Sequence, residues 1–269
     1  MIFLKKHGLQ TMALRTYNEG GGHNKTITTQ FGKERRMKIL REATPTSPKF
    51  MVYSLPGMGK TTLASEMENS IIIDLEGGAN YIKTARTEQI TKLDDFYAAL
   101  VELWKAPERE FDYIVIDTVD WLVRLIVEDV AGIDKNHLTE TLNRSNGGYG
   151  NGKQVLENHV RTKLLPMLVA MNKKGYGICL LAHADKKDML DSDGTTIEQI
   201  TPKIDPVTLN AFVEWCDAIF YLKQDATGKR ILQLNSDSIA LAKNRTGIKE
   251  NEVDLSEVNI NKILTGKEK

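Results

Sequence analysis

Ser54-Leu55-Pro56-Gly57-Met58-Gly59-Lys60-Thr61-Thr62 decides how this chain is read. The segment follows the short apolar run Phe50-Met51-Val52-Tyr53, and the residues from Thr61 to Met67 read as a helix. It fits the phosphate-binding pattern G-x-x-x-x-G-K-[ST], with Ser54 in the first glycine position. Gly57 and Gly59 let the backbone curl, so that successive amides and the helix N-terminus make a cradle for an anion. The predicted phosphate-binding set is Pro56, Gly57, Met58, Gly59, Lys60, Thr61 and Thr62. Lys60 is expected to reach the β- and γ-phosphates of a nucleotide, and Thr61 to ligate Mg²⁺ through its hydroxyl. Thr62 is placed to bond the α-phosphate. The task of Ser54 is to leave the strand, not to meet the phosphate.

Outward from this loop, the chain repeats strand, turn and helix. Ile71-Ile72-Ile73, Tyr113-Ile114-Val115-Ile116, Ile178-Cys179-Leu180-Leu181 and Ala218-Ile219-Phe220-Tyr221-Leu222 are apolar runs suited to strands buried on both faces. Helical stretches are predicted over 93–104, 119–130 and 155–171, with Pro166 bending or interrupting the last. Such alternation predicts an α/β fold: a mostly parallel central sheet with helices on both faces. Ile231-Leu232-Gln233-Leu234 follows an Ala226-Thr227-Gly228 turn, which predicts an antiparallel C-terminal edge. Residues 1–36 read as a disordered basic arm, or as a mis-called start ahead of Met37. Residues 37–250 read as one domain and 251–269 as a tail.

Composition sets limits on function. The 269 residues carry 36 Lys and Arg against 36 Asp and Glu. Ten basic and three acidic residues lie in 1–50, so the remainder has a net charge of −7 and is not a globally basic nucleic-acid binder. A chain of this length buries roughly 70–75% of its unfolded surface and needs no disulfide or metal to hold it together. Cys179 and Cys216 read as reduced, buried thiols in a cytoplasmic protein. No run of 18 apolar residues is present, so no membrane span is expected.

Phe111-Asp112-Tyr113-Ile114-Val115-Ile116-Asp117 is a buried-type strand ending in a carboxylate, the Walker B arrangement that sets Asp117 beside the Mg²⁺ of a P-loop protein. Asp120 reads as an acidic residue favoured at a helix N-terminus. The strand after the P-loop helix ends in Asp74-Leu75-Glu76-Gly77-Gly78. A glutamate at the C-terminal edge of a strand beside the P-loop can hold water in line with the γ-phosphate, whereas Asp74 reads as structural, bonding loop amides. This segment resembles that of the RecA-like recombinase ATPases, which implies Glu76 as the base or water-positioning residue. Leu180-Leu181-Ala182-His183-Ala184-Asp185 sets His183 at a strand end where RecA-like proteins carry a γ-phosphate sensor. Leu241-Ala242-Lys243-Asn244-Arg245-Thr246-Gly247 is similar to the K-N-R-x-G segment of DnaB-type helicases. That similarity implies that Arg245, and after it Lys243, reaches the neighbouring subunit's nucleotide, contributing roughly 10³–10⁵ in rate on assembly.

Taken together, these motifs and Gly148-Tyr149-Gly150-Asn151-Gly152-Lys153 resemble a compact phage group of RecA-like P-loop ATPases proposed to act in single-strand annealing and recombination. The resemblance covers residues 37–248. It implies ATP and Mg²⁺ as cofactors, with single-stranded DNA, further copies of the chain in a ring or filament, and a single-strand-binding protein as partners. Ser54 and the N-terminal extension depart from that group. Two segments are candidates for DNA. In 143–153, Arg144 and Lys153 can meet phosphates and Tyr149 can stack on a base, although a mobile loop or a nucleotide lid fits equally. In 186–203, Lys186 and Lys187 are offset by Asp188, Asp191 and Asp193. A helicase or helicase loader, and a non-hydrolysing nucleotide-dependent interaction module, are the alternative functions.

Overall fold

The computed structural model describes residues 9–14, 27–32, 47–130, 142, 144–190, 193–194, 196–237 and 239–265. Two compact units divide the chain at Pro45 and Thr46. In the first, strands β1 (Leu9–Leu14) and β2 (Ile27–Gly32) pair antiparallel from Leu9↔Gly32 to Leu14↔Ile27. A disordered arm was the expectation for this stretch. The Ile27-Thr28-Thr29 run is rich in β-branched residues, which supports a strand.

The second unit holds the predicted sheet. Its parallel part runs in the spatial order β9 (Ala218–Gln224), β3 (Lys49–Ser54), β7 (Gly177–Leu190), β6 (Tyr113–Asp117), β4 (Ser70–Asp74) and β5 (Ala85–Arg86). Strands β10 (Arg230–Gln233) and β12 (Glu252–Asp254) extend it antiparallel beyond β9, as expected for the C-terminal edge. The two-residue strand β11 (Lys243–Asn244) also pairs antiparallel with β9.

Successive strand residues point to opposite faces, and the burial follows that period. Met51, Tyr53, Ile114, Ile116, Ile178 and Leu180 pack under the helices α2 (Leu93–Lys105), α3 (Val119–Val130), α4 (Asn151–His159), α5 (Leu165–Lys173) and α6 (Pro206–Trp215). Phe50, Val52, Val115, Cys179, Leu181 and Phe220 face the other way, against α1 (Lys60–Ser65) and α7 (Ile260–Thr265). Each fully buried Ile, Val, Leu or Phe contributes about 1.5–3 kcal/mol. The continuous apolar strand runs read from the sequence reflect this burial on both sides.

Three features differ from the sequence reading. Residues 251–265 are part of the folded unit rather than a tail: β12 pairs with β10, and Ile260, Ile263 and Leu264, at helical spacing, are buried. The expected loop after His183 is a hairpin, because β7 continues to Leu190 and pairs antiparallel with β8 (Thr196–Pro202). The predicted helix over 155–171 is three pieces, with a π-helical turn at Val160–Leu164 between α4 and α5. Pro166 lies in the first turn of α5, where its missing N–H and its ring exclude the ordinary bond to the carbonyl of residue 162.

Candidate functional site

The strand register brings the predicted groups together. Ser54 pairs with His183, Asp117 with Leu181, and Asp74 with Asp117, so the C-terminal ends of β3, β6 and β4, and the point at which β7 leaves the parallel sheet, form one rim. Ligands of open α/β sheets bind at this edge, where the chain reverses its direction across the sheet. Here β3 is that point: the first crossover carries the chain to β4 on one side, and β9 later joins β3 on the other.

The loop at the end of β3 has the backbone its glycines foretell. Gly57 and Gly59 have φ of 81° and 86°, in the left-handed region. Gly59 caps α1, Lys60 is its first residue, and Met58 packs against the core below. Ser54 is buried and donates its hydroxyl to the Leu55 carbonyl at 2.9 Å. Pro56 and Gly57 are exposed, as is Thr62. A Cβ on Gly59 would meet the Arg230 side chain at 3.5 Å. The sequence offered no signal for Arg230. From β10 it reaches over the loop and pairs with Glu66 at 2.7 Å, and its Nη1 is buried with no partner among the described residues.

Lys60 is 7% exposed. Burial lowers its pKa, and Glu76, Asp117 and Asp120 act in the opposite sense. Thr61 donates its hydroxyl to Asp117 Oδ2 at 2.7 Å, while Asp117 Oδ1 is buried with no partner among the described residues. Burial above all pushes the Asp117 carboxyl up to about 6. A buried carboxylate with one bare oxygen, beside a hydroxyl and a lysine, fits a divalent cation held by Thr61 and Asp117 next to a phosphate chain.

Glu76 is not on the strand adjacent to the P-loop strand, contrary to the sequence reading, because β7 and β6 lie between β3 and β4. It enters the site through the turn after β4. Asp74 builds that turn as expected, accepting the amides of Gly77 at 2.6 Å and Ala79 at 3.3 Å. The Leu75 amide donates to the Asp117 carbonyl at 2.7 Å, tying the turn to β6. Glu76 Oε1 then lies 3.4 Å from His183 Nε2. On the other side of the ring, Asp120 accepts the His183 backbone amide at 3.0 Å and faces Nδ1 at 2.9 Å. Hydrogen bonds to Asp120 first, and then to Glu76, raise the His183 pKa to about 9 against its burial. Asp120 was read only as a helix-start residue. Its contact with His183 depends on β7 lying beside β6, which no local pattern encodes.

The residues assigned to assembly and to DNA are more scattered. The Arg245 side chain is exposed, and its backbone amide is anchored to the Asp217 carbonyl at 3.1 Å. Lys243 does not extend outward as a finger would. Its ammonium donates to the carbonyls of Val213 at 2.5 Å and Cys216 at 2.6 Å, satisfying the end of α6. Five consecutive residues, Asn146 to Gly150, have positive φ, and the Tyr149 side chain is fully exposed on them. Arg144 is exposed nearby. Lys153 stands on α4 and pairs with Asp205 at 3.7 Å. In the hairpin, Lys186 is bound by Glu198 at 2.7 Å and Lys187 donates to the Ile204 carbonyl at 3.2 Å. Asn143, Asp191 and Ser192 lie outside the described residues.

Among the described residues, no helix is long and apolar enough to cross a membrane. A family model described as AAA domain matches residues 46–246, which contain every group described at the rim. No curated protein matches the chain.

Proposed function

This chain belongs to the AAA-domain family of P-loop, ATPase-type proteins, and on that footing we propose that it is a RecA-like ATPase that acts on single-stranded DNA in phage recombination or strand annealing. The observation that carries the reading is the convergence of Lys60, the Thr61–Asp117 pair and the Glu76–His183 pair on one sheet edge. A bound Mg²⁺·ATP supplies the γ-phosphoryl group and the Lewis acid that draws off its charge. Thr61 and Asp117 hold the metal, and the amides from Gly57 to Thr62 hold the phosphates. Lys60 offsets the charge that builds on the β–γ bridge. Glu76 orients the attacking water and receives its proton. His183, in contact with Glu76, registers whether the γ-phosphate is present and passes this to the β7–β8 hairpin that begins at its own strand. Arg245, exposed and unlike Lys243 not engaged through its side chain with its own subunit among the described residues, completes a neighbour's site on assembly.

The test is ATP turnover by wild type and Glu76→Gln, with and without single-stranded DNA, alongside binding of a fluorescent ATP analogue. Wild type should turn over ATP faster when DNA is present. Glu76→Gln should retain the analogue and lose turnover by roughly 10²–10⁴-fold. Turnover of the variant at the wild-type rate would remove Glu76 from the chemistry. Binding without turnover by wild type would instead favour an interaction module. Unwinding of a forked duplex would favour a helicase.

A further inference from the structure

Asp120 has no part in the hydrolytic scheme, yet its carboxylate is bound on both oxygens. Both of its oxygens engage His183: Oδ1 accepts the backbone amide at 3.0 Å and Oδ2 meets the ring at Nδ1, 2.9 Å away. Grip on both the main chain and the ring removes the freedom of the imidazole to flip. The ring's other nitrogen is thereby left facing Glu76 Oε1 at 3.4 Å. Asp120 is itself fixed in the first turn of α3, between the fully buried Val119 and Leu122. Exposure of the side chains rises along the chain of contacts, from 14% for Asp120 and 16% for His183 to 36% for Glu76.

We infer that Asp120 is a positioning residue for hydrolysis, holding His183 in the orientation that fixes Glu76 at the phosphate end of the cleft. The inference rests on the reading of Glu76 as the residue that orients water. Around the imidazole stand Asp120 from α3, Glu76 from the turn after β4 and Lys60 from α1; Asp120 and His183 also line a cavity of about 420 Å³ together with Arg124 and Lys203. The two carboxylates outweigh the lysine, and the His183 pKa stands at about 9 instead of 6.5. At neutral pH the ring therefore donates from both nitrogens, one to Asp120 and one to Glu76. Burial pulls the Asp120 pKa up, but the bonds from His183 outweigh it and keep Asp120 ionised.

Asp120→Asn preserves the shape and removes the charge. In NMR of ring-labelled histidine, His183 should titrate near 9 in wild type and fall toward 6.5 in the variant. Between pH 6 and 8 the wild-type turnover profile should be level, whereas the variant should acquire a step. Its kcat should drop by roughly 10–100-fold, as when the carboxylate behind a functional histidine is removed, with the KM for ATP little changed. A purely structural defect would not move the histidine titration. His183→Gln supplies the second check: the double variant should be no slower than His183→Gln alone.

A wild-type His183 that titrates at its ordinary value would overturn the inference, and that measurement needs no variant to fold. So would unchanged titration and turnover in Asp120→Asn, or additive losses in the double variant. If Glu76→Gln is inactive and Asp120→Asn is normal, the role of Asp120 fails and that of Glu76 stands. If Glu76→Gln is active, the hydrolytic reading itself fails.

Discussion

Asp117 shows at the level of one residue how burying a carboxylate weakens the fold. Burial, above all, raises its pKa from 3.8 to about 6. A carboxyl whose pKa is raised on folding contributes stability at pH below its unfolded value, and this is lost as the pH rises through the folded value. The window here is about pH 4 to 6. The ionised form therefore destabilises the metal-free protein at pH 7 by on the order of 3 kcal/mol. Asp117→Asn keeps an acceptor for the Thr61 hydroxyl and removes the charge. In a chelator at pH 7.5 this variant should melt roughly 6–12 °C above wild type, and the gap should close as the pH approaches 4. Thermal melts across that range check it, and a variant that melts lower at pH 7.5 would contradict it. With Mg²⁺ and nucleotide the order should invert, because wild type alone gains the binding energy.

At the scale of elements, the two segments named as candidates for DNA differ in how far their side chains are already engaged. The hairpin β7–β8 has its backbone paired and both lysines engaged within the chain. The turn before α4 instead holds Tyr149 fully exposed on a run of left-handed residues, at φ 52° for the tyrosine itself. A non-glycine residue in that region is uncommon and disfavoured. The turn is pinned at its base, since Ser145 is buried with its hydroxyl on the Leu142 carbonyl, and a Cβ on Gly152 would run into both. If this turn is the DNA contact, Tyr149→Ala should weaken single-strand binding by about 1–3 kcal/mol, the usual worth of a base stacked on an aromatic ring. Lys186→Ala should change it by less than about twofold, since an exposed, already paired lysine contributes little. Fluorescence anisotropy with a labelled oligonucleotide decides between them, and equal effects of the two substitutions would reject the preference for the turn.

For the whole molecule, a site divided between copies of the chain, as proposed, would have Glu76 working within one subunit and Arg245 on its neighbour. Glu76→Gln and Arg245→Ala should each be nearly inactive alone, with a loss for Arg245→Ala of roughly 10³-fold or more. Mixed together, they should recover part of the activity, because some interfaces then pair an intact Glu76 with an intact Arg245. Recovery should peak at comparable amounts of the two and grow with total protein concentration. A mixture no more active than its components would place both groups on one chain or remove Arg245 from the site.

Much of this was legible in consecutive residues. Glycines at 57 and 59 foretell left-handed backbone, three isoleucines at 71–73 foretell a strand buried on both faces, and Asp74 foretells a turn bonded to its own amides; each depends on neighbours a few positions away. Pro166 likewise announces its break by stereochemistry alone. The hairpin after His183 and the packed helix at 260–265 were missed, because short mixed-polarity segments take their form from the surfaces they cover. Contacts across the sheet lay further out of reach. Asp120 and His183 are 63 positions apart, and only the seating of β7 between β3 and β6 brings them, with Glu76, to one rim. Local chemistry thus nominated the residues proposed to bind phosphate and metal, since covalent geometry and side-chain type act at short range. Strand order, the outcome of packing over the entire core, decided which of them meet.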